Sequence, residues 1–237
     1  MDWHEQVAVV TGGTRGIGKA LTVDLARRGA AVAFCARDAQ DVERHAAGLR
    51  GGSHTALGAV CDVRDESSVA AFAERVRDEL GTPTILINNA GVGRFAPLGE
   101  MTLLAWDEVM DTNLRGLFLV TRAFLPSMAA KGHGIIVNIA SLAALNGIAE
   151  GAAYSASKHG VLGFSRSLML EVRKVGVRVM AVCPGSVNTA FFDGDTPFDP
   201  NRGRILLPED VAKATLDALE LPERALVSEL DIRPANP

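Results

Sequence analysis

Tyr154 and Lys158 stand four residues apart in a stretch with helical periodicity, so a phenol and an ammonium project from one helix face a single turn apart. A free phenol has a pKa near about 10 and is a poor base at neutral pH. A neighbouring positive charge favours the phenolate and makes the tyrosine usable as a general acid or base. Taken alone, such a pair is an ordinary feature of helices, and it carries little until it has companions. Ser141 is the first of these. It follows the apolar run Ile135 to Ile139, at the carboxyl end of a predicted strand, where open α/β sheets bind ligands. A hydroxyl there can hold a carbonyl oxygen, or it can simply cap a turn.

A second constellation lies near the N-terminus. The apolar run Val7 to Val10 leads into Thr11-Gly-Gly-Thr-Arg-Gly-Ile-Gly18, and a helical pattern follows from Lys19 to Arg28. Glycines between a strand and a helix let the backbone approach a pyrophosphate, whose charge is favoured by the free N–H groups at the helix N-terminus. The order strand, glycine turn, helix therefore predicts dinucleotide binding. After the next predicted strand the chain reads Phe34-Cys-Ala-Arg-Asp38, with Ala36 where NAD binders place an acid for the ribose 2′-hydroxyl. Arg37, together with Arg15 in the glycine turn, suits a 2′-phosphate, so the expected cofactor is NADP(H). The competing reading makes Arg37 the start of a solvated helix with Asp38 as its N-cap or as a ribose ligand.

These residues need a scaffold. Short apolar runs at Val7 to Val10, Ala31 to Phe34, Ala56 to Val60, Ile85 to Ile87, Ile135 to Ile139, Val177 to Val182 and Ala225 to Val227 imply seven strands. Helical periodicity with charge on one side fills the intervals, as in Ser67 to Leu80, Leu117 to Met128 and Ala156 to Lys174. Alternating strands and helices predict an α/β, Rossmann-type doubly wound fold, a seven-stranded parallel sheet with helices on both faces. No linker or repeat divides the 237 residues, so residues 1–237 are expected to form a single dinucleotide-binding catalytic domain. One long loop, about 186–207, contains Asp193-Gly-Asp195 and the three phenylalanines Phe191, Phe192 and Phe198, and is expected to be a substrate lid.

Composition narrows the partners. A net charge of −4, with basic residues scattered among acids, argues against nucleic acid. Cys35, Cys61 and Cys183 sit in apolar runs without metal-ligand spacing, which predicts free buried thiols, no metal site and a reducing, cytoplasmic setting. The N-terminus has no basic leader and no apolar run is long enough to span a bilayer, so neither export nor a membrane partner is expected.

The spacing of Gly12, Gly16 and Gly18, with Asn88-Asn-Ala-Gly91, Ser141, Tyr154-Ser-Ala-Ser-Lys158 and Pro184-Gly185, strongly resembles the short-chain dehydrogenase/reductases in their roughly 250-residue branch. The nearest subgroup looks like the 3-oxoacyl-carrier-protein reductases. The resemblance runs from Val7 to a final strand near Asp231. It implies catalytic roles for Asn113, Ser141, Tyr154 and Lys158, with Asn113 holding a water that links the lysine to solvent. It implies cofactor contacts from Gly12, Thr14, Arg15, Gly16, Ile17 and Gly18 in the turn, from Arg37, Asp62 and Val63 around the adenosine, and from Asn89, Ala90 and Gly91 along the riboses. Lys158 and Tyr154 would reach the nicotinamide ribose, while Pro184, Gly185, Val187 and Thr189 would cradle the nicotinamide. The implied reaction passes a hydride between nicotinamide and a ketone or secondary alcohol, with a 3-oxoacyl thioester or another apolar ketone as substrate. Expected pocket walls are Val92, Phe95, Leu142 to Leu145, Ile148 and the lid phenylalanines, with Arg94 and Arg202 more naturally solvated than substrate-binding. The resemblance also implies a homodimer or homotetramer built on the helices containing Asn113 and Tyr154. A non-catalytic NADP-binding sensor or scaffold is the rival reading.

Overall fold

A computed structural model describes residues 1–193 and 196–236. Of the expected lid, Gly194 and Asp195 therefore lie outside the described residues, as does Pro237 at the end of the expected domain. The strands are β1 (Val7–Thr11), β2 (Ala31–Ala36), β3 (Ala56–Val60), β4 (Ile85–Asn88), β5 (Gly134–Ile139), β6 (Val177–Pro184) and β7 (Glu229–Ile232). They form one parallel sheet in the order β3-β2-β1-β4-β5-β6-β7, with the reversal of chain direction across the sheet falling between β1 and β4. The central strands β1, β4 and β5 are buried on both faces, which is why they read as unbroken Val/Ile runs rather than alternating ones.

The helices are α1 (Gly16–Arg28), α2 (Ala39–Gly51), α3 (Glu66–Leu80), α4 (Leu103–Met110), α5 (Gly116–Lys131), α6 (Ala152–Val172) and α7 (Pro208–Leu219). Local chemistry sets several of their ends. Asp38 and Asp65 cap α2 and α3 by accepting from Asp41 N and Ser67 N, and Gly29, at φ 105°, stops α1 in the left-handed region. Pro208 opens α7, where Asp210 accepts from Leu207 N at 2.8 Å. Apolar faces of α1, α2 and α7 pack on one side of the sheet around Leu21, Leu25, Phe34 and Leu216. Those of α3, α5 and α6 pack on the other around Phe72, Phe124, Met128 and Leu168. No helix among the described residues is long and apolar enough to cross a membrane.

The last strand is displaced from its expected place. Ala225 to Val227 is irregular, and pairing with β6 begins only where Ala181 N donates to Ser228 O. As an edge strand, β7 shows alternation, with Glu229 and Asp231 exposed and Leu230 and Ile232 partly buried. The period-two pattern, not the apolar triplet before it, marks the strand.

Candidate active site

The glycine turn is held by its neighbours from below. Thr11 Oγ1, at the end of β1, accepts from both Asn89 N and Ala90 N, while Asn89 Nδ2 donates to Thr11 O and Gly12 O at 2.9 and 3.1 Å. Gly12 and Gly16 adopt left-handed φ of 66° and 53°. A Cβ at Gly18 would stand 2.2 Å from Gly12 O and 2.4 Å from Asn89 Nδ2, so the helix start and the turn are pressed together as closely as glycine allows. Gly18 lies beneath the turn, whereas Gly12, Thr14, Arg15, Gly16 and Ile17 line a cleft of about 340 Å³ above it.

That cleft runs across the carboxyl ends of β1, β2, β3 and β4. Its remaining expected members, Arg37, Asp62, Val63, Asn89, Ala90, Gly91 and Thr189, all line it. Cys35, Asp41, Cys61 and Arg64, which sequence reasoning gave no part in the site, line it too, as does Asp38, read from sequence as a helix cap or a ribose ligand. Asp38 spends its carboxylate on the α2 cap, as the competing reading of this segment requires. Asp62 is clasped by Arg64 through both carboxylate oxygens at 2.6–3.1 Å, and that guanidinium holds its carboxyl below the usual range, with Arg37 adding a smaller pull. Arg15 and Arg37 are exposed and form no ion pair among the described residues.

A second cavity, about 270 Å³, shares Ile17, Asn89, Gly91, Thr189 and Phe191 with the first. Ser141, Tyr154 and Lys158 line it, as do Pro184, Gly185 and Val187 at the end of β6 and just beyond. Helix α6 is fixed against the sheet by a buried polar chain: Asn88 Nδ2 donates to Asn138 Oδ1, and Asn138 Nδ2 donates to Ser165 Oγ, at 2.8 and 2.9 Å. Ser141 opens the short turn Leu142–Ala144 and caps it by accepting from Ala143 N at 3.1 Å. It also lines the second cavity beside Tyr154, whose phenol it draws down, so the capping geometry is present and the hydroxyl stands at the cavity wall.

The electrostatics depart from expectation. Lys158 Nζ donates to Ile139 O at 2.8 Å and lies 5.8 Å from the centroid of the Tyr154 ring. Burial pushes the Tyr154 phenol above its ordinary value, with only partial relief from Ser141, and Lys158 does not set its titration. Burial also draws Lys158 down to about 8, opposed by the nearby Cys183 thiol. In the protein alone, desolvation thus outweighs the expected stabilisation of phenolate by ammonium, and the tyrosine is held protonated.

Asn113 does not line either cavity. It sits in a π-helical turn, Asp111–Arg115, between α4 and α5, where its Oδ1 accepts from Val92 N and its Nδ2 donates to Val92 O and to Ser157 Oγ, at 2.8–3.0 Å. The irregular turn removes the helix-interior penalty expected for an asparagine and aims its amide at the backbone beyond β4. A side chain at Gly91 would meet Asn113 Oδ1 at 3.2 Å and Lys158 Nζ at 3.6 Å.

The walls of the second cavity include Phe95, Leu142, Ala143, Ile148, Phe191, Phe192 and Phe198. Val92 lines the first cleft instead, Ala144 is buried in the core and Leu145 is exposed. Arg94 pairs with Glu108, and Arg202 braces the long loop by donating to Asn188 Oδ1, Thr189 O and Asp193 Oδ1. The stem of that loop is closed where Val187 bridges Leu206.

Residues 6–198 match the short chain dehydrogenase family. The chain is 44% identical over 186 residues to a Streptomyces virginiae protein assigned as a ketoacyl reductase of the monensin polyketide synthase, covering 78% of this chain and 71% of that one. It is 41% identical over 221 residues to cis-4-hydroxycyclohexanecarboxylate dehydrogenase from Sinomonas cyclohexanicum, covering 89% and 87%. The crystal structure of an alcohol dehydrogenase from the archaeon Thermococcus sibiricus, complexed with 5-hydroxy-NADP, superposes with a TM-score of 0.89 at 31% identity over 97% of each chain. The chain therefore belongs to the short-chain dehydrogenases and is an NAD(P)-dependent oxidoreductase.

Proposed function

We propose that this enzyme uses NADP(H) to interconvert a ketone and a secondary alcohol, with Tyr154 transferring the proton. The observation that carries the reading is the shared cavity: Tyr154 opens beside Ser141 and Lys158 onto a space whose wall is common with the glycine-turn cleft. The turn fits a dinucleotide because Gly12 and Gly16 line the cleft without side chains where a pyrophosphate must come close, while Gly18 lets the helix start press against the turn. Arg15 and Arg37, without an acid partner among the described residues, suit the 2′-phosphate, while Asp38 is occupied as a cap and Asp62 is neutralised by Arg64.

When bound, the reduced nicotinamide supplies a hydride to the carbonyl carbon. Tyr154, kept protonated by burial, donates its proton to the carbonyl oxygen, and the Ser141 hydroxyl hydrogen-bonds that same oxygen as charge develops. Lys158, whose Nζ stands by the cavity, would hold the cofactor ribose. Asn113 is a positioning residue for Gly91 and Val92, and the approach of its Oδ1 and Lys158 Nζ to one point beside Gly91 supports a water-linked pair. Pro184, Gly185, Val187 and Thr189 cradle the nicotinamide end, and the loop 186–207 acts as the lid. The same reading includes one catalytic domain and a cytoplasmic setting. It also includes a homodimer or homotetramer, for which Phe118 on α5 and Leu170 on α6 supply exposed apolar surface.

The test is titration of the protein with NADPH and NADH, then turnover on a panel of ketones, aldehydes and 3-oxoacyl thioesters beside Tyr154→Phe. The expected outcome is tighter NADPH binding and a kcat lower by about 10²–10⁴-fold in the variant, with NADPH affinity retained. Tighter NADH binding overturns the cofactor assignment, and unaffected turnover in Tyr154→Phe overturns the mechanism.

A further inference from the structure

We propose that the substrate of this site is an uncharged ketone carried on a compact ring, aryl or alicyclic, seated against a cage of phenylalanines; the proposal rests on the oxidoreductase reading above. The cage is built from two separate segments. Phe95, from the segment after β4, stands with its ring centroid 5.7 Å from Tyr154, 5.9 Å from Phe191 and 5.2 Å from Phe198, the last two from the loop beyond β6. Interplanar angles of 84° and 89° set those two pairs edge to face, and Phe191 closes on Tyr154 from another side at 5.5 Å. Phe95 is the hub, touching every other member. A Cβ at Gly93 would stand 2.6 Å from Phe191 and 2.8 Å from Phe95, so the chain is pared to glycine where these rings meet. Ala96 N, next to the hub, donates to Glu150 O at 2.8 Å and ties it to the segment ahead of α6.

Charge is excluded from the same space. Among the described residues lining the cavity, Lys158 is the sole charged group, and its Nζ is directed to Ile139 O. Of the arginines in the flanking loops, Arg94 and Arg202 are committed to Glu108 and Asp193, and Arg204 does not line the cavity. A substrate carboxylate would meet no guanidinium, only the Lys158 ammonium already bonded to Ile139 O, whereas a ring offers an edge or face that phenylalanines accept in their preferred geometry. Part of the roughly 270 Å³ is walled by residues shared with the glycine-turn cleft, leaving space for a ring beside the hydroxyls rather than for a long acyl chain.

The experiment measures kcat/KM with NADPH for acetophenone, its para-carboxylate, a linear methyl ketone of equal carbon count and a 3-oxoacyl thioester. It compares the wild type with Phe95→Leu and Phe198→Ala, with thermal midpoints and NADPH binding confirming that each variant folds. Expected is a preference for acetophenone of at least about 100-fold over the carboxylate and about tenfold over the linear ketone. Both variants should lose about tenfold on acetophenone while the linear ketone changes by less than about threefold. Equal or better use of the carboxylate, the linear ketone or the thioester, with turnover still dependent on Tyr154, overturns the ring proposal and leaves the oxidoreductase reading standing. An equal loss on both ketones in Phe95→Leu also overturns it. No NADPH oxidation with any carbonyl overturns both.

Discussion

Around the glycine turn the cleft presents Arg15, Arg37 and Arg64 together with Asp38, Asp41 and Asp62, whereas beyond Thr189 and Phe191 the described lining retains one charge, that of Lys158. The first half is open at its ionic groups, so water screens them and their geometry is set by local caps and clasps. The second half is walled by partly buried aromatic rings, and there burial governs: the phenol of Tyr154 is pushed up, and Lys158 is drawn down to about 8. Recognition of a charged cofactor and protection of a neutral reacting carbon are thus divided between an ionic surface and an apolar chamber. The division predicts large responses to changes in buried close contacts and small, salt-sensitive ones to changes in exposed charge.

The largest expected effect lies where the two halves join. Gly18→Ala would place a methyl 2.2 Å from Gly12 O and 2.4 Å from Asn89 Nδ2, backbone and braced side chain that have little freedom to move. It should cost about 2–4 kcal/mol of stability, seen by thermal or denaturant unfolding, and weaken NADPH binding by at least about 100-fold. Gly163→Ala is the control, because a Cβ there meets nothing within 4 Å and α6 should gain about 0.5–1 kcal/mol. Equal behaviour of the two variants would show that the close approach does not organise the cleft.

Next comes the buried lysine. With a folded-state value of about 8 against about 10.4 unfolded, the unfolded chain binds more protons between those limits, so stability from this group rises with pH across that window. The gain is on the order of 3 kcal/mol, and the buried Cys35 and Cys183 thiols, raised in the fold, work against it as pH rises. The difference between wild-type and Lys158→Met unfolding profiles isolates the lysine: wild type should climb relative to the variant from about pH 8 to about pH 10. A flat difference would place the ammonium in contact with water and remove the contrast between the halves.

The sequence made the ionic half far more legible than the apolar one. The strand, the glycine spacing and the arginines are local patterns, and each lies in the cleft where that pattern puts it. Ser141, Tyr154 and Lys158, ordinary as local geometry and picked out by the resemblance of the motifs around them, line the second cavity together. Most of what escaped was non-local. Burial set the titration of Tyr154, although its sequence neighbour Lys158 suggested otherwise. The π-turn at Asn113 and the placement of Cys35 and Cys61 depend on how β2, β3 and α5 converge, whereas the clasp of Arg64 on Asp62 is a local contact two residues apart that sequence reasoning missed. Val92, Ala144 and Leu145 were apolar residues beside the right motifs, but the turn after Ser141 faces Ala144 and Leu145 elsewhere, and Val92, held by Asn113, lines the first cleft. The edge strand β7 carried its own alternating signal, and the more apolar triplet before it drew the assignment away.

The smallest effect belongs to the exposed arginine of the ionic half. Arg37→Ala removes one cation from the rim of the cleft without disturbing the Asp38 cap, whose carboxylate accepts from Asp41 N. A charge-assisted contact to a phosphate contributes about 1.5 kcal/mol, so NADPH affinity should fall about tenfold while NADH affinity stays within about twofold. Because Arg37 is open to solvent, the NADPH penalty should shrink as salt is raised from low to about 0.5 M, unlike the Gly18→Ala defect, which is steric and should not respond. Equal losses for both nucleotides would mean that Arg37 acts on the shape of the cleft rather than on the 2′-phosphate. A loss independent of salt would bring this arginine into the same regime as Lys158, with desolvation rather than screening setting its strength.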